Sequence, residues 1–226
     1  MFAQGVTILL AKQQQTIREV KTLLEAIASL SKETNNLDYL YDIEDGLLNT
    51  KASLLALDWL NNQPEVAQII EERYIAPCPD IEALLQYPEE TLGYAFASYI
   101  KKSGFDPSFY RKMKVENNNS YVILRIRQTH DIWHVVTGFK TDQLGEIGLK
   151  AFEVAQTRRN LAVVLVGAAL LITLIKSPEL LSNLLEQIVL GYKMGSSAKP
   201  LLAQKWEEHW DKPLSEWRNE LGIEPI

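Results

Sequence analysis

The feature that most constrains this chain is an apolar run of 15 residues, Leu161 to Ile175, reading LAVVLVGAALLITLI. A bilayer span asks for roughly 20 such residues, so the run is short for one. Two readings stay open. It is a helix buried in a protein core, or a helix that lines a lipid pocket or rests at a membrane surface.

The surrounding sequence predicts an all-α chain. Val6, Leu9, Leu10, Ile17, Val20, Leu23, Leu24, Ile27 and Leu30 recur at steps of three and four, a helical stripe over 5–32. A second helix is expected from near Asn36 or Asp38 to before Gly46. Thr50 is placed to cap a third, and Gln63 to Ile75 forms a fourth, with Pro64 in the first turn where proline is tolerated. APCPDIEALLQYPEET packs three prolines into twelve residues and cannot be one helix. It divides the chain into an amino-terminal helical extension, 1–79, and a functional body, 80–226. In the body, TLGYAFASYIKKSGF reads as a helix stopped at Gly104. Tyr121 to Ile126 has the valine and isoleucine content of a strand, while Ile132, Val135 and Val136 return to helical spacing before Gly138. Thr141 or Asp142 caps the next helix. Gly191 and Gly195 mark a loop, and Trp206, Trp210, Leu214, Trp217 and Leu221 suggest an amphipathic tail.

The formal charge is -6 and the pI about 5.2. An acidic chain gains nothing from a polyphosphate backbone, so nucleic acid is excluded as the expected partner. The single cysteine, Cys78, allows neither an intrachain disulfide nor a cysteine-based zinc site. The amino terminus carries no signal-peptide pattern and the chain no full-length span. The expectation is a cytoplasmic protein, peripheral to a membrane if it meets one.

Two of the three histidines, His130 and His134, are four residues apart, with Asp131 between them. On a helix, residues three and four apart share a face, so His130, Asp131 and His134 can point at one ion. Nitrogen and oxygen donors of this kind suit zinc, iron, manganese or, less well, magnesium. Glu146, in the helix past the Gly138 turn, is placed to return as a fourth donor, with the small residues Gly145 and Gly148 beside it. The competing reading is plain: a histidine pair at the edge of a core, and Glu146 half of a solvated pair with Lys150. Arg125 and Arg127 could grip a carboxylate or phosphate in a fork, or face solvent. Trp133 is either core or a surface on which an aromatic ring stacks.

These residues carry a resemblance. TLGYAFASYIKKSGFDPSFYR, then YVILRIRQTHDIWHVVTGFKTDQLGEIGLKAFEVAQT, then KPLLAQKWEEHWDKPLSEWRNELGI are similar to the coenzyme Q (ubiquinone) biosynthesis protein 4 family, over about residues 88 to 223. The family mark, His-Asp-x-x-His, eleven residues, then Glu, stands here as His130, Asp131, His134 and Glu146. The resemblance implies that these four hold a metal, zinc by the usual assignment, and that any catalysis runs through it. It implies an all-α, multi-helix globular domain with a hydrophobic cavity for a polyprenyl tail. The apolar helix would wall that cavity with Leu161, Val164, Leu165, Ala168, Leu171 and Ile172, beside Trp133, while Arg125 or Arg127 meets the headgroup. Two functions follow from the resemblance: a metal-dependent decarboxylase or hydroxylase acting on a prenylated hydroxybenzoate-type ring, and a non-catalytic polyprenyl-lipid carrier or scaffold. The implied partners are a polyprenyl lipid or quinone precursor, a membrane surface, other quinone-biosynthesis proteins, and a second copy of the chain in a homodimer.

Overall fold

Helix boundaries in this protein are set by side chains that satisfy otherwise unpaired backbone groups. Thr50, Asp80, Thr91, Asn117 and Asp142 each accept a hydrogen bond from a backbone N–H three residues on, and each opens a helix. The computed structural model describes residue 14 and residues 37–48, 50–108 and 110–226. Among them are ten α-helices and no strand: α1 (Leu37–Leu47), α2 (Lys51–Asn61), α3 (Pro64–Glu72), α4 (Ile81–Leu84), α5 (Leu92–Ser103), α6 (Asn118–Thr137), α7 (Gln143–Thr157), α8 (Asn160–Lys176), α9 (Leu181–Ser197) and α10 (Leu214–Leu221). The helix expected over 5–32 lies outside the described residues except for residue 14.

Helix α6 is the axis of the fold. Its 20 residues start at a capping box of Asn117 with Ser120 and stop at Gly138, whose φ of +85° suits glycine. Helices α2, α3, α5, α7 and α10 all pack against it. Tyr121, Val122, Ile123, Leu124, Arg125 and Ile126 are all buried, so this part of α6 meets protein on every side. That corrects the strand expected at Tyr121–Ile126. A helix buried all round has no polar face, and its sequence loses the 3.6-residue period that identifies helices at a surface. The core joins Leu60 and Ile70 of α2 and α3 to Phe96 of α5, Trp133 of α6, Phe152 of α7, and Trp206 and Trp217 beyond.

Helix α9 lies on α7 with little between the backbones. A Cβ on Gly191 would stand 1.9 Å from the Gly148 carbonyl oxygen, and one on Gly195 would stand 2.6 Å from that of Phe152. These glycines are inside α9, not in a loop as expected, because their role is close approach rather than chain reversal. The amphipathic tail expected around Trp206 to Leu221 is divided at Pro213. Trp206 sits in one short 3-10 turn, the chain then turns at Trp210, and Pro213 precedes α10, which holds Leu214, Trp217 and Leu221 of the series. The rings nonetheless gather, with Trp206 and Trp217 centroids 4.6 Å apart. No helix among the described residues is long and apolar enough to cross a membrane.

Candidate metal centre

Helix α6 presents His130 and His134 on one face near its carboxyl end. The Gly138 turn and the Asp142 cap then start α7, which brings Glu146 back in its first turn. His134 Nε2 lies 3.1 Å from one Glu146 oxygen, and His130 Nε2 lies 3.6 Å from the other. The imidazole rings are 4.8 Å apart, edge to face. One ligand atom from each of the three residues falls within 4.8 Å of the others, a spread that small side-chain rotations close to the roughly 4 Å that metal bonds of about 2 Å allow.

The tautomer of His134 decides what the trio can do. Its Nδ1–H donates to the Phe139 carbonyl at 2.7 Å, so the neutral ring turns a bare Nε2 lone pair toward the carboxylate. That side chain is only 1% exposed, and Nε2 has no hydrogen-bond partner. A buried lone pair facing a carboxylate oxygen at 3.1 Å is repulsive unless a proton or cation lies between them. His130 Nδ1 is likewise buried without a partner. Two neutral imidazoles, one fixed by a backbone carbonyl, and a carboxylate are a donor set that fits a divalent metal such as zinc.

The electrostatics favour the ligating forms. Burial pushes the His130 imidazolium down from its ordinary value, and the Lys150 ammonium adds to this against the pull of Glu146. Burial alone would raise Glu146, but hydrogen bonds and positive charge from the two imidazoles, when these carry the proton between them and the carboxylate, outweigh it and hold the carboxyl well below the usual range. Lys150 and Glu153 form a buried pair at 2.7 Å on α7. Burial opposes both charges, yet each outweighs that for the other, so Glu153 stays below its usual range and Lys150 above.

The other expected site residues fall elsewhere. Asp131 is half-buried and not one of the trio; its charge, with that of Glu146, joins burial in pushing the Tyr99 phenol far up. Arg125 is fully buried and forks onto Glu207, at 2.6 and 2.9 Å, with a further bond to the Gln204 carbonyl. Arg127 bonds Glu44 and the Arg111 carbonyl, and Arg159 joins Glu44 from the other side. Both forks read as headgroup candidates therefore hold protein carboxylates. Trp133 is buried edge-on against Phe152. On α8, Val164 and Ala168 are buried, Leu161, Leu165 and Ile172 half-buried, and Leu171 exposed. Two participants escaped the sequence reading. The Phe139 carbonyl that orients His134 has no side-chain signature. Tyr99, stacked on His134 at 6.0 Å with its hydroxyl buried and unpartnered, comes from a helix 31 residues upstream of His130.

Comparison with known proteins gives a consistent picture. The family model described as coenzyme Q (ubiquinone) biosynthesis protein Coq4 matches residues 9–226, reaching well upstream of the stretch that carries the resemblance. A mitochondrial ubiquinone biosynthesis protein COQ4 homolog of Aedes aegypti is 31% identical over 174 residues, 75% of this chain and 62% of that protein. Its counterpart in Danio rerio is 32% identical over 173 residues, 74% of this chain and 62% of that protein. The match thus spans less than two thirds of these relatives' own length. Among solved structures, a Nostoc punctiforme protein assigned to ubiquinone biosynthesis is 36% identical, with a TM-score of 0.82 over 90% of this chain and 95% of that one.

Proposed function

This chain belongs to the coenzyme Q (ubiquinone) biosynthesis protein Coq4 family, and on that premise we propose that it is a metal-dependent protein of polyprenyl-quinone biosynthesis. His130, His134 and Glu146 would hold the metal, and the family mark would add Asp131 as a fourth ligand. The reaction class is oxidative decarboxylation of a prenylated phenolic ring: the ring carboxyl leaves as carbon dioxide, a hydroxyl from water takes its carbon, and dioxygen accepts the two electrons and two protons as hydrogen peroxide. A bound divalent metal supplies Lewis-acid polarisation of a ring substituent. The chain's own groups do the rest. Phe139 fixes the His134 tautomer, Tyr99 keeps a protonated hydroxyl beside it, and the Lys150–Glu153 pair holds the buried charge in balance. The substrate's tail is bound against apolar helix α8. Each methylene buried contributes about 0.8 kcal/mol, enough for an isoprenoid tail to dominate affinity. Such substrates reside in bilayers, so the chain works at a membrane surface.

The observation that carries this reading is the buried Nε2 of His134 against the Glu146 carboxylate, a contact that needs a proton or a cation between the two atoms and that a bound metal would satisfy together with His130. The test is elemental and lipid mass spectrometry on protein purified without added ligand, beside His134→Ala. The reading expects one metal per chain and an extractable isoprenoid, with the metal lost in the variant. Folded wild-type protein carrying neither would end it. The second reading, a non-catalytic lipid carrier or scaffold, is favoured by the arginine forks being spent on Glu207 and Glu44, which leaves the headgroup without them. It expects lipid without turnover. Ring decarboxylation that vanishes in His134→Ala while lipid stays bound would exclude it.

A further inference from the structure

An acidic ring that meets the metal centre needs hydrogen-bond donors for its carboxylate, and most cations around the trio are already spent. Arg125 holds Glu207, while Arg127 and Arg159 hold Glu44. Arg218 donates to the Val135 and Val136 carbonyls at the end of α6. Lys140, in the turn between α6 and α7, is exposed to solvent. Lys150 is different.

Lys150 follows Glu146 by four residues on α7, so the two share a face one turn apart, with about 5–6 Å between their Cβ atoms. Its side chain is 17% exposed, sheltered from most water yet open to a ligand. An ammonium has three N–H donors. One goes to Glu153 Oε2 at 2.7 Å, and among the described residues the other two have no partner. Glu153 is only 4% exposed, so it anchors the ammonium from the protein side. The charges agree with this placement. After burial, Lys150 is the next influence holding the His130 imidazolium down. Against burial, Glu153 and then Glu146 and Glu44 keep Lys150 protonated.

We propose that Lys150 is the residue that selects a carboxylated ring, its two open N–H groups donating to the ring carboxylate beside the trio of His130, His134 and Glu146. Glu153 acts through Lys150, as a positioning residue. The inference rests on the quinone reading for the identity of the ligand. A charge-assisted pair of this kind favours the acid over the same ring without its carboxylate by about tenfold or more. The site therefore holds substrate and releases product, because loss of carbon dioxide removes the group that Lys150 grips.

The test is isothermal titration calorimetry on the zinc-loaded full chain, with a geranylated para-hydroxybenzoate and the matching geranylated phenol. The variants are Lys150→Met/Glu153→Leu, which removes the cation without stranding its carboxylate, Lys150→Arg, and Lys140→Met as a control for surface charge. Bound zinc is measured in each by elemental mass spectrometry. The proposal expects the wild type to bind the acid at least about tenfold tighter than the phenol. The double variant loses that preference while its phenol affinity and zinc content stay within about twofold of wild type, Lys150→Arg keeps part of the preference, and Lys140→Met keeps all of it. A preference that survives in the double variant overturns the proposal and leaves the quinone reading standing. So does a wild type that binds both rings equally. Preference and zinc lost together in the double variant assign the selection to the metal, which also overturns it. A wild type that binds neither ring overturns it together with the quinone reading.

Discussion

Gly191→Ala should damage this protein far beyond what one methyl group suggests. The new Cβ would sit 1.9 Å from the Gly148 carbonyl oxygen, 2.9 Å from its carbon and 3.2 Å from the Phe152 nitrogen. All three are backbone atoms, so no rotamer change relieves the clash. An ordinary contact of about 3.4 Å requires α9 and α7 to separate by about 1.5 Å along most of their shared length. Overpacking of this kind costs about 1–3 kcal/mol. For a chain of this size each kilocalorie lowers the melting temperature by about 2–4 °C, so a fall of about 2–12 °C is expected. Gly167→Ala is the control. Nothing lies within 4 Å of a Cβ there, and in a helix interior alanine gains about 0.5–1 kcal/mol over glycine. Thermal and urea unfolding of the two variants should thus move in opposite directions. Equal and small effects, within about 0.5 kcal/mol of wild type, would refute the close-packed α7–α9 interface.

The buried pair on α7 gives a second prediction. Glu153→Leu alone leaves the half-buried Lys150 without its hydrogen-bonded partner and should cost about 1.5–3 kcal/mol, whereas Lys150→Met/Glu153→Leu should cost less. Glu153, held below its usual range, stabilises fully above about pH 4.5 and loses this as pH falls through its folded value. Lys150, held above its range, stabilises fully below about pH 10.5 and loses this as pH rises through its folded value. Urea unfolding across pH should therefore find the gap between wild type and the double variant constant from about pH 5 to 10 and changing only outside that window. Arg125→Met strands Glu207, which is only 8% exposed, and should lose about 3–5 kcal/mol in the same assay, with Arg125→Met/Glu207→Leu recovering most of it. Asp142→Ala removes the cap that starts α7 and should cost about 1 kcal/mol; because Glu146 lies in that first turn, zinc affinity measured by competition with a chelator should fall as well.

Much of the fold was legible because its signals are local. Thr50, Thr91 and Asp142 open helices, and Gly104 and Gly138 close them, through hydrogen bonds and backbone angles that depend on a few adjacent residues. What failed was non-local. Tyr121 to Ile126 lost its helical period because four other helices and the carboxyl-terminal segment surround it. Gly191 resembled a loop glycine because its reason for being small sits on another helix. The site divides along the same line. His130, His134 and Glu146 were readable from spacing across a single turn, and the structure brings them together. The forks of Arg125 and Arg127 could not be assigned, since their acceptors lie 82 and 83 residues away in opposite directions.

Those two spacings bear on how the protein is assembled. The helix that carries both histidines is pinned by Glu44, which is synthesised well before it, and by Glu207, which follows near the end of the sequence. Until Glu207 leaves the ribosome, Arg125 has a burial site but no counter-charge, and seating α6 in the core would strand a cation. Closing loops of this length also slows the search for the native state. Seating of α6 is therefore a late event that waits for both flanks. The histidines can meet metal before then only on an unseated helix.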